Sequence, residues 1–321
     1  MTSSKTDGLL GRLERATGVR DLAGHLVERL KPSELTSLLL EVARRRARRR
    51  TPAEVLADFE RDRFCRPAGL SPLVLARFEV LAFEHLPVEF EPVTLSPVTP
   101  QGTCAVVAGV SQDWAVTTSR GTEVVSDATN VLTLEAARRR RAALRADARS
   151  AEAVHLAAHH RLLRPQNFDG PGQTAHFALL ALVSATRAGS GSSAELGLVE
   201  LHLRAQLTVL RAIVGMDVPL RVRLSDFSAV DRGDALRALV SAPLAARFEN
   251  VVFDIDRERQ GGRGYYRGVA FQVYGRAGEE DVFLVDGGEV DWTARLLSNG
   301  KERTVISGLG SERLCVVFER P

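Results

Sequence analysis

Arginine and aromatic side chains flank two glycine-containing turns in the second half of this 321-residue chain. Arg161 and Arg164 precede a polar loop that contains glycine, and Phe177 follows that loop. Arg313 follows a second glycine-flanked turn, at residues 308–310. A guanidinium group can donate two parallel hydrogen bonds to a phosphate and stabilise negative charge that develops there. Arginine side chains at these positions could therefore contact a phosphate.

A second group of residues could form a pocket for a small molecule. Its glycines would let a ligand approach the backbone closely. Its acids would suit a ligand that carries an amine, because a carboxylate accepts charge-assisted hydrogen bonds. The shape of this pocket does not follow from the sequence, and the candidate residues are Glu123, Tyr265, Tyr266, Gly287, Gly288 and Glu289.

The N-terminal part of the chain, residues 1–86, is predicted to be a helical extension whose residues indicate no chemistry. Thr51, followed by proline and by Glu54, is a strong helix start, because the two side chains can satisfy free backbone amides at the helix end. Ser33 and Ser71 predict two further helix starts. We expect this extension to pack against the core or against a partner protein.

The remainder, residues 87–321, is predicted to be a core of strands and helices. Short alternating or continuous apolar segments predict strands, and longer segments with a helical period predict helices. Asn130 is expected to cap the first of these helices. The predicted strands are 104–108, 114–118, 155–163, 175–183, 218–224, 251–255, 265–274 and 282–285, and the predicted helices are 131–145, 194–216 and 231–246.

Composition indicates a soluble globular protein. The chain is 45% hydrophobic and 26% charged, as in ordinary globular domains. Its longest apolar runs are far shorter than the ~20 residues needed to cross a bilayer, and the N-terminus lacks the apolar core of a signal peptide. The three cysteines are widely spaced, which argues against a disulfide framework or a zinc site and favours the cytoplasm.

Two other patterns could carry a function but have simpler explanations. The arginine runs at residues 44–50 and 138–141 could bind nucleic acid. The helix dipole also favours cations near the end of a helix, and residues 44–50 end a predicted helix. A net charge of only +3 makes nucleic-acid binding the less favoured alternative. His155 and His159 would form a metal-binding pair on a helix, but not in the strand predicted there. No segment matches a Rossmann or P-loop nucleotide motif.

The order of these segments resembles the catalytic core of class II aminoacyl-tRNA synthetases, and the histidyl-type branch in particular. The strand, long loop and strand around residues 164–175 are similar to motif 2 of that family. This resemblance implies that Arg161 contacts the α-phosphate of ATP, that Phe177 stacks on adenine and that Arg164 is a loop arginine. The turn before Arg313 resembles motif 3, which implies a contact between Arg313 and the γ-phosphate.

Further segments extend the resemblance, and others depart from it. Tyr265 begins a Tyr-Tyr-x-Gly-x-x-Phe segment that resembles the histidyl-type substrate strand, and Glu123 lies in a segment similar to the loop that places an acid on the substrate amine. Leu163 stands where motif 2 has an acid, and Gly261 stands where the family has an arginine. The positions that hold the histidine side chain in that family are apolar here, at Leu179 and Val183.

The resemblance implies an ATP- and Mg²⁺-dependent enzyme that forms an adenylate of an amino acid or another small carboxylic acid. The resemblance ends with the motif 3 helix, so no anticodon-binding domain is expected. The sequence does not identify the acceptor of the activated acid, which we expect to be a molecule other than tRNA. The alternative is a non-catalytic paralogue, like the regulatory subunit of ATP phosphoribosyltransferase. The departures favour this alternative, whereas the retained arginines favour the enzyme. We expect an α+β fold, with an antiparallel sheet of six or more strands flanked by helices, and a cytoplasmic homodimer.

Overall fold

The structure is a computed structural model that describes residues 3–166, 174–189 and 191–319. The chain divides into two compact units. The first contains residues 1–63 and 117–122, and the second contains residues 64–116 and 123–321. The domain boundary expected between residues 86 and 87 stays a prediction.

The first unit consists of short helices. Thr51 begins one of them as predicted, because its hydroxyl accepts from the Glu54 amide while the Glu54 carboxylate accepts from the Thr51 amide at 2.7 Å. The preceding helix begins after Lys31 and not at Ser33, since proline occupies its first position. Residues 8–63, all of them described, contain no buried side chain. The helices are α1 (Ser3–Thr17), α2 (Leu22–Gly24) with a π-helical continuation (His25–Arg29), α3 (Pro32–Ala47) and α4 (Pro52–Arg61).

The second unit is built on an eight-stranded mixed sheet. Its strands, in the order in which they neighbour one another, are β1 (Glu91–Pro92), β4 (Val154–Leu163), β5 (His176–Arg187), β10 (Glu302–Gly310), β9 (Glu280–Val290), β8 (Val269–Ala277), β6 (Leu220–Asp226) and β7 (Val251–Ile255). The pairs β1–β4 and β6–β7 are parallel, and the other neighbouring pairs are antiparallel. Two short strands, β2 (Val98–Pro100) and β3 (Thr122–Val124), lie outside this sheet. The predicted α+β class is confirmed.

Helices cover both faces of this sheet, because its central strands bury side chains on both sides. In β5, Leu180 packs in one apolar cluster whereas Ala181 and Val183 pack in another, as the two-residue period of a strand requires. None of the helices within the described ranges is long and apolar enough to span a bilayer. The first cluster includes residues of α5 (Pro72–His85), α7 (Ser193–Val214), α8 (Gly233–Leu236), α9 (Ala242–Arg247) and α11 (Ser311–Phe318), and the second includes residues of α6 (Ala128–Ala146) and α10 (Trp292–Leu297).

The strand predicted at residues 104–108 is wrong, and the one predicted at residues 114–118 forms only in part. Within the second segment, the Val116 carbonyl accepts from the Val124 amide and the Thr118 amide donates to the Thr122 carbonyl, both at 2.8 Å. The first segment is a π-helical turn (Thr103–Val107), and a 3₁₀ turn (Gln112–Trp114) leads into the second. Gly102 precedes the π-helical turn with a φ of 91°, a value that favours glycine. The amides of Gly102 and Cys104 donate to the buried Glu123 carboxylate, so they are not free to join a strand ladder.

Two predicted element starts are also displaced. The strand expected from residue 265 begins at Val269, since the Tyr265 and Tyr266 amides donate to the Gly262 carbonyl and close a turn. The helix expected from residue 131 begins after Asp127, whose carboxylate accepts from the Thr129 amide at 2.9 Å. Aspartate is among the strongest helix caps, and it holds the position that was predicted for Asn130.

Histidines of β4 and α7 hydrogen-bond to serine hydroxyls in the interior of the second unit. His155 and His159 lie in β4 as predicted and bond different partners, Ser184 at 2.7 Å and Ser311 at 2.8 Å. His202 approaches Ser184 from α7 at 2.9 Å. Burial lowers the pKa of His202 to about 3, because the interior penalises the charged imidazolium. His202 is therefore neutral and acts as a hydrogen-bonding part of the core.

The arginine run at residues 138–141 contains one fully buried side chain. Arg140 and Glu302 are both 0% exposed, and the guanidinium donates to both carboxylate oxygens at 2.8 and 2.9 Å. Its remaining N–H groups donate to the carbonyls of Ser150 and Glu152. The run is therefore not a continuous cationic surface.

Candidate functional site

A cavity of about 770 Å³ lies against the sheet face that carries α6. Its volume is within the range of about 300–1,000 Å³ that is usual for ligand pockets. The described lining comes from residues 104–114, β5, β9, β10, the starts of α6 and α11 and the turn at residues 262–266, and 11 of its 26 residues are aliphatic or aromatic. Residues 167–173, in the loop before Phe177, lie outside the described residues. The charged lining residues are Asp127, Arg164, Arg263, Asp286 and Arg313.

Arg164 and Phe177 line the cavity together, at the end of β4 and the start of β5. The guanidinium carbon lies 5.3 Å from the centre of the Phe177 ring. Its Nε donates to the Ser126 carbonyl at 2.8 Å, and a terminal nitrogen donates to the Asp127 carboxylate at 3.1 Å. These contacts fix the guanidinium over the ring, and Asp127 neutralises part of its charge.

Arg313 is a cation without a counter-ion in the described part of the cavity. It lies in α11, three residues after Gly310, which ends β10. Its Nε is buried without a hydrogen-bond partner, and no ion pair to a described residue involves it. A buried polar group without a partner costs free energy. This guanidinium is therefore suited to receive an anionic ligand group.

Two other arginines lie near the turn that leads to β8. Arg263 lines the cavity and lies 5.1 Å over the Phe227 ring, and it makes no ion pair to any residue that the structure describes. Arg259 is 7% exposed and donates to the Asp286 carboxylate at 3.0 Å. Burial raises the pKa of Asp286, and the neighbouring Arg259 opposes that rise. Arg263 is thus a second cation in the cavity without a described counter-ion, whereas Arg259 forms an ion pair with Asp286.

Tyr265 and Tyr266 form an aromatic wall of the cavity. Their rings meet edge to face at 5.0 Å, and Tyr265 also meets the Trp292 ring at 5.6 Å. Burial raises the pKa of both tyrosines well above the usual value, because a phenolate would lose its hydration. Both hydroxyls are therefore protonated at neutral pH and can act as donors.

Solved structures with a similar fold are synthetase cores and relatives. An ATP phosphoribosyltransferase regulatory subunit/histidyl-tRNA synthetase from Bacillus halodurans matches with a TM-score of 0.58 and 13% identity, over 79% of this chain and 82% of that one. Apo histidyl-tRNA synthetase from S. aureus matches with a TM-score of 0.52 and 13% identity, over 77% of this chain and 64% of that one, less than two thirds of its length. A putative threonyl-tRNA synthetase from Aeropyrum pernix matches with a TM-score of 0.57 and 11% identity, over 77% and 58%.

The fold is that of a class II aminoacyl-tRNA synthetase catalytic core. At these identities the likeness establishes the architecture and no activity. No protein-family model matches the sequence, and no curated protein is detectably similar to it. The predicted resemblance is thus confirmed at the level of fold.

The class II core brings together half of the predicted site residues. Arg164, Phe177, Tyr265, Tyr266 and Arg313 all line the cavity. The other five are absent from its described lining, and each has contacts of its own in the fold. These five are Glu123, Arg161, Gly287, Gly288 and Glu289.

Arg161 is separated from Phe177 by the register of the β4–β5 hairpin. Leu162 lies opposite Phe177, and Arg161 lies opposite Ala178. Because successive side chains of a strand point to opposite faces, Arg161 projects away from the cavity. It forms an ion pair with Glu312 and contacts the His176 ring at 2.9 Å. The structure therefore does not place the predicted α-phosphate contact beside the predicted adenine contact.

Glu123 is buried beside the cavity as an acceptor for the backbone. It is 1% exposed. Its carboxylate accepts from the Gly102 amide at 2.8 Å, from the Cys104 amide at 2.7 Å and from the Gln112 side chain at 2.6 Å. The acid that does line the cavity at this point is Asp127. Sequence reasoning missed Asp127, although its position before a helical segment is a cap signal.

The glycine pair of β9 makes room for protein side chains. A Cβ atom on Gly288 would lie 2.8 Å from the Tyr266 ring, and one on Gly287 would lie 2.4 Å from the Phe271 ring. Glu289 pairs with Arg232 at 3.1 Å and accepts from the Val269 amide at 3.0 Å. Burial raises the pKa of Glu289, and Arg232 opposes this. In this structure the three residues shape the wall behind Tyr266.

The residues present fit a metal ion that arrives with a nucleotide better than a resident one. The described residues include no group of three or more histidine, cysteine or acidic side chains that could hold an ion. The two acids of the cavity, Asp127 and Asp286, are each paired with an arginine. Mg²⁺ commonly binds through one or two carboxylates together with substrate phosphates, which this arrangement permits.

Proposed function

We propose that the cavity binds ATP together with a small carboxylic or amino acid, and that the protein is an adenylate-forming, ligase-like enzyme. The observation that carries this proposal is Arg313, an uncompensated guanidinium in a cavity that also contains Phe177 stacked under Arg164. An aromatic ring and a free cation in one apolar cavity suit a ligand that has both a planar base and phosphates.

The reaction would begin with attack of a carboxylate oxygen of the acid on the α-phosphorus of ATP. A bond forms between that oxygen and phosphorus, while the bond to the bridging oxygen of pyrophosphate breaks and its electron pair leaves with pyrophosphate. Arg164 takes the phosphate-facing role expected of Arg161, and Arg313 binds the terminal phosphate. Fixed cations stabilise the developing charge without reorganisation. Mg²⁺, carried in with ATP, would add further neutralisation.

Asp127 is the proposed contact for an amine on the acid. It lines the cavity at the start of α6, whereas the predicted acid, Glu123, is absent from the described lining. A carboxylate next to an ammonium group forms a charge-assisted hydrogen bond. Tyr265, whose hydroxyl remains protonated, is proposed to contact the same end of the substrate.

A second candidate function is a non-catalytic ligand-binding or regulatory subunit. The orientation of Arg161 favours it, since this arginine faces away from the cavity and is paired with Glu312. Arg164 also uses part of its charge on Asp127. Both contacts reduce the positive charge available to an adenylate-forming transition state. In either case we propose a cytoplasmic homodimer, which the class II architecture supports.

Exchange of labelled pyrophosphate into ATP separates the two candidates. We expect exchange in wild type that requires both Mg²⁺ and a carboxylic acid, because the adenylate forms reversibly. The Arg313→Ala variant should lose at least about 10-fold in exchange rate, the loss expected for one charged hydrogen bond. Bound ATP without exchange for any acid tested would instead favour the regulatory candidate. Arg145→Ala, an exposed arginine of α6, is the control.

A further inference from the structure

Three side chains form an apolar floor in the cavity. Leu179 lies over Gly308 in the neighbouring strand, where an added Cβ would be 3.1 Å from a Leu179 methyl group. Tyr266 lies over Gly288, and Ile306 is paired opposite Gly288 in the sheet. All three side chains belong to the same apolar cluster and line the cavity. We call Leu179, Tyr266 and Ile306 the apolar floor.

The apolar floor offers a ligand almost no hydrogen bonding. Leu179 and Ile306 have no polar side-chain atoms, and the Tyr266 hydroxyl interacts with the Asp286 carboxylate. Leu179 continues the cavity wall directly from Phe177, because these two residues are two positions apart in β5 and face the same side. A polar ligand group placed against this floor would lose its hydration without a replacement partner, which is unfavourable.

We propose that the acid bound in this cavity carries an apolar side chain, aliphatic or aromatic, and that Leu179 determines this preference. The inference rests on the proposed function, in which the cavity takes a carboxylic acid together with ATP. The charged groups of the lining, Asp127, Arg164 and Arg313, then serve the polar parts of the two substrates. The apolar floor receives the side chain of the acid, and its packing excludes polar competitors.

The test measures binding of four defined probes by calorimetry on the full chain, with and without ATP and Mg²⁺. Leucine and 4-methylpentanoate share an apolar side chain, and histidine and glutamine are the polar comparisons. We expect at least one apolar probe to bind about 10-fold or more tightly than either polar probe, as apolar pockets discriminate. Leu179→Gln should abolish this preference, and Leu179→Met should retain it. Leu73→Gln changes an apolar residue that is 70% exposed and is the matched control.

The outcomes distinguish failure of this inference from failure of the proposed function. If ATP binds but histidine or glutamine binds as tightly as the apolar probes, the apolar preference is overturned and the proposed function stands. If ATP does not bind while an apolar probe binds through Leu179, the proposed function is overturned and the preference stands. An apolar preference that persists unchanged in a folded Leu179→Gln variant would also overturn the role of Leu179.

Discussion

Replacing Arg140 with alanine is expected to destabilise the second unit by about 3–5 kcal/mol. The substitution leaves the Glu302 carboxylate fully buried without its counter-ion, and it frees the two carbonyls that the guanidinium also bonds. An unpaired buried charge costs far more than a surface pair contributes. Urea unfolding followed by circular dichroism measures the loss.

Two companion variants make this test specific to the buried pair. Arg138→Ala removes an arginine from the same run whose side chain is 71% exposed, and it should leave the unfolding midpoint nearly unchanged. The double variant Arg140→Met with Glu302→Met leaves no charge unpaired, so it should recover much of the lost stability. Equal effects of Arg138→Ala and Arg140→Ala would contradict the buried ion pair.

Glu123→Ala is expected to cost about 3 kcal/mol, because three donors lose their acceptor at once and each unsatisfied buried group costs about 1–3 kcal/mol. The backbone donors belong to Gly102 and Cys104, so hydrogen exchange at these two amides should become faster. The same urea titration measures the global effect. Glu279→Ala, an exposed acid in the β8–β9 turn, is the control.

This experiment also decides between two roles for Glu123. A carboxylate that binds a substrate amine makes few hydrogen bonds in the ligand-free protein. Its removal would therefore leave the free energy of unfolding unchanged and weaken ligand binding. The geometry predicts the reverse for Glu123. A stable Glu123→Ala protein with impaired ligand binding would restore the role that the sequence suggested.

Segments with strong local signals could be predicted from sequence. The Thr51 cap, the Ser71 helix start and the apolar strand after residue 175 all appear where expected. The strand predicted at residues 104–108 does not form. Its small and β-branched residues favour a strand locally, but the Cys104 amide donates to Glu123, 19 residues further along the chain. A hydrogen bond between residues far apart in the sequence cannot be predicted from the local pattern of either segment.

The site could be predicted only in part, because the faces of β4 and β5 depend on a register that the sequence does not fix. Residues 164–175 separate these strands in the sequence, and a shift of one residue moves every side chain to the opposite face. The sequence therefore predicted that Arg161 and Phe177 contact the same ligand. In the structure Leu162 is paired with Phe177, so Arg161 and Phe177 point to opposite faces of the sheet. Asp127 carried a usable signal, since an acid before a helical period is a cap.

The burial of Arg140 could be predicted from the helical period of α6. Leu132, Ala136 and Arg140 are spaced by four residues and are all fully buried, which places them on one face of α6. The helical period therefore predicts that one arginine of residues 138–141 faces the core, although charge alone would assign all four to the surface.

Calorimetric titration with ATP and Mg²⁺ of wild type and of Arg313→Ala tests the central claim most directly. The central claim is that the cavity lined by Phe177 and Arg313 binds ATP. It predicts saturable ATP binding by wild type that weakens at least about 10-fold in Arg313→Ala, with Arg145→Ala unchanged. Absence of ATP binding in the millimolar range, or equal affinity in wild type and Arg313→Ala, would contradict it.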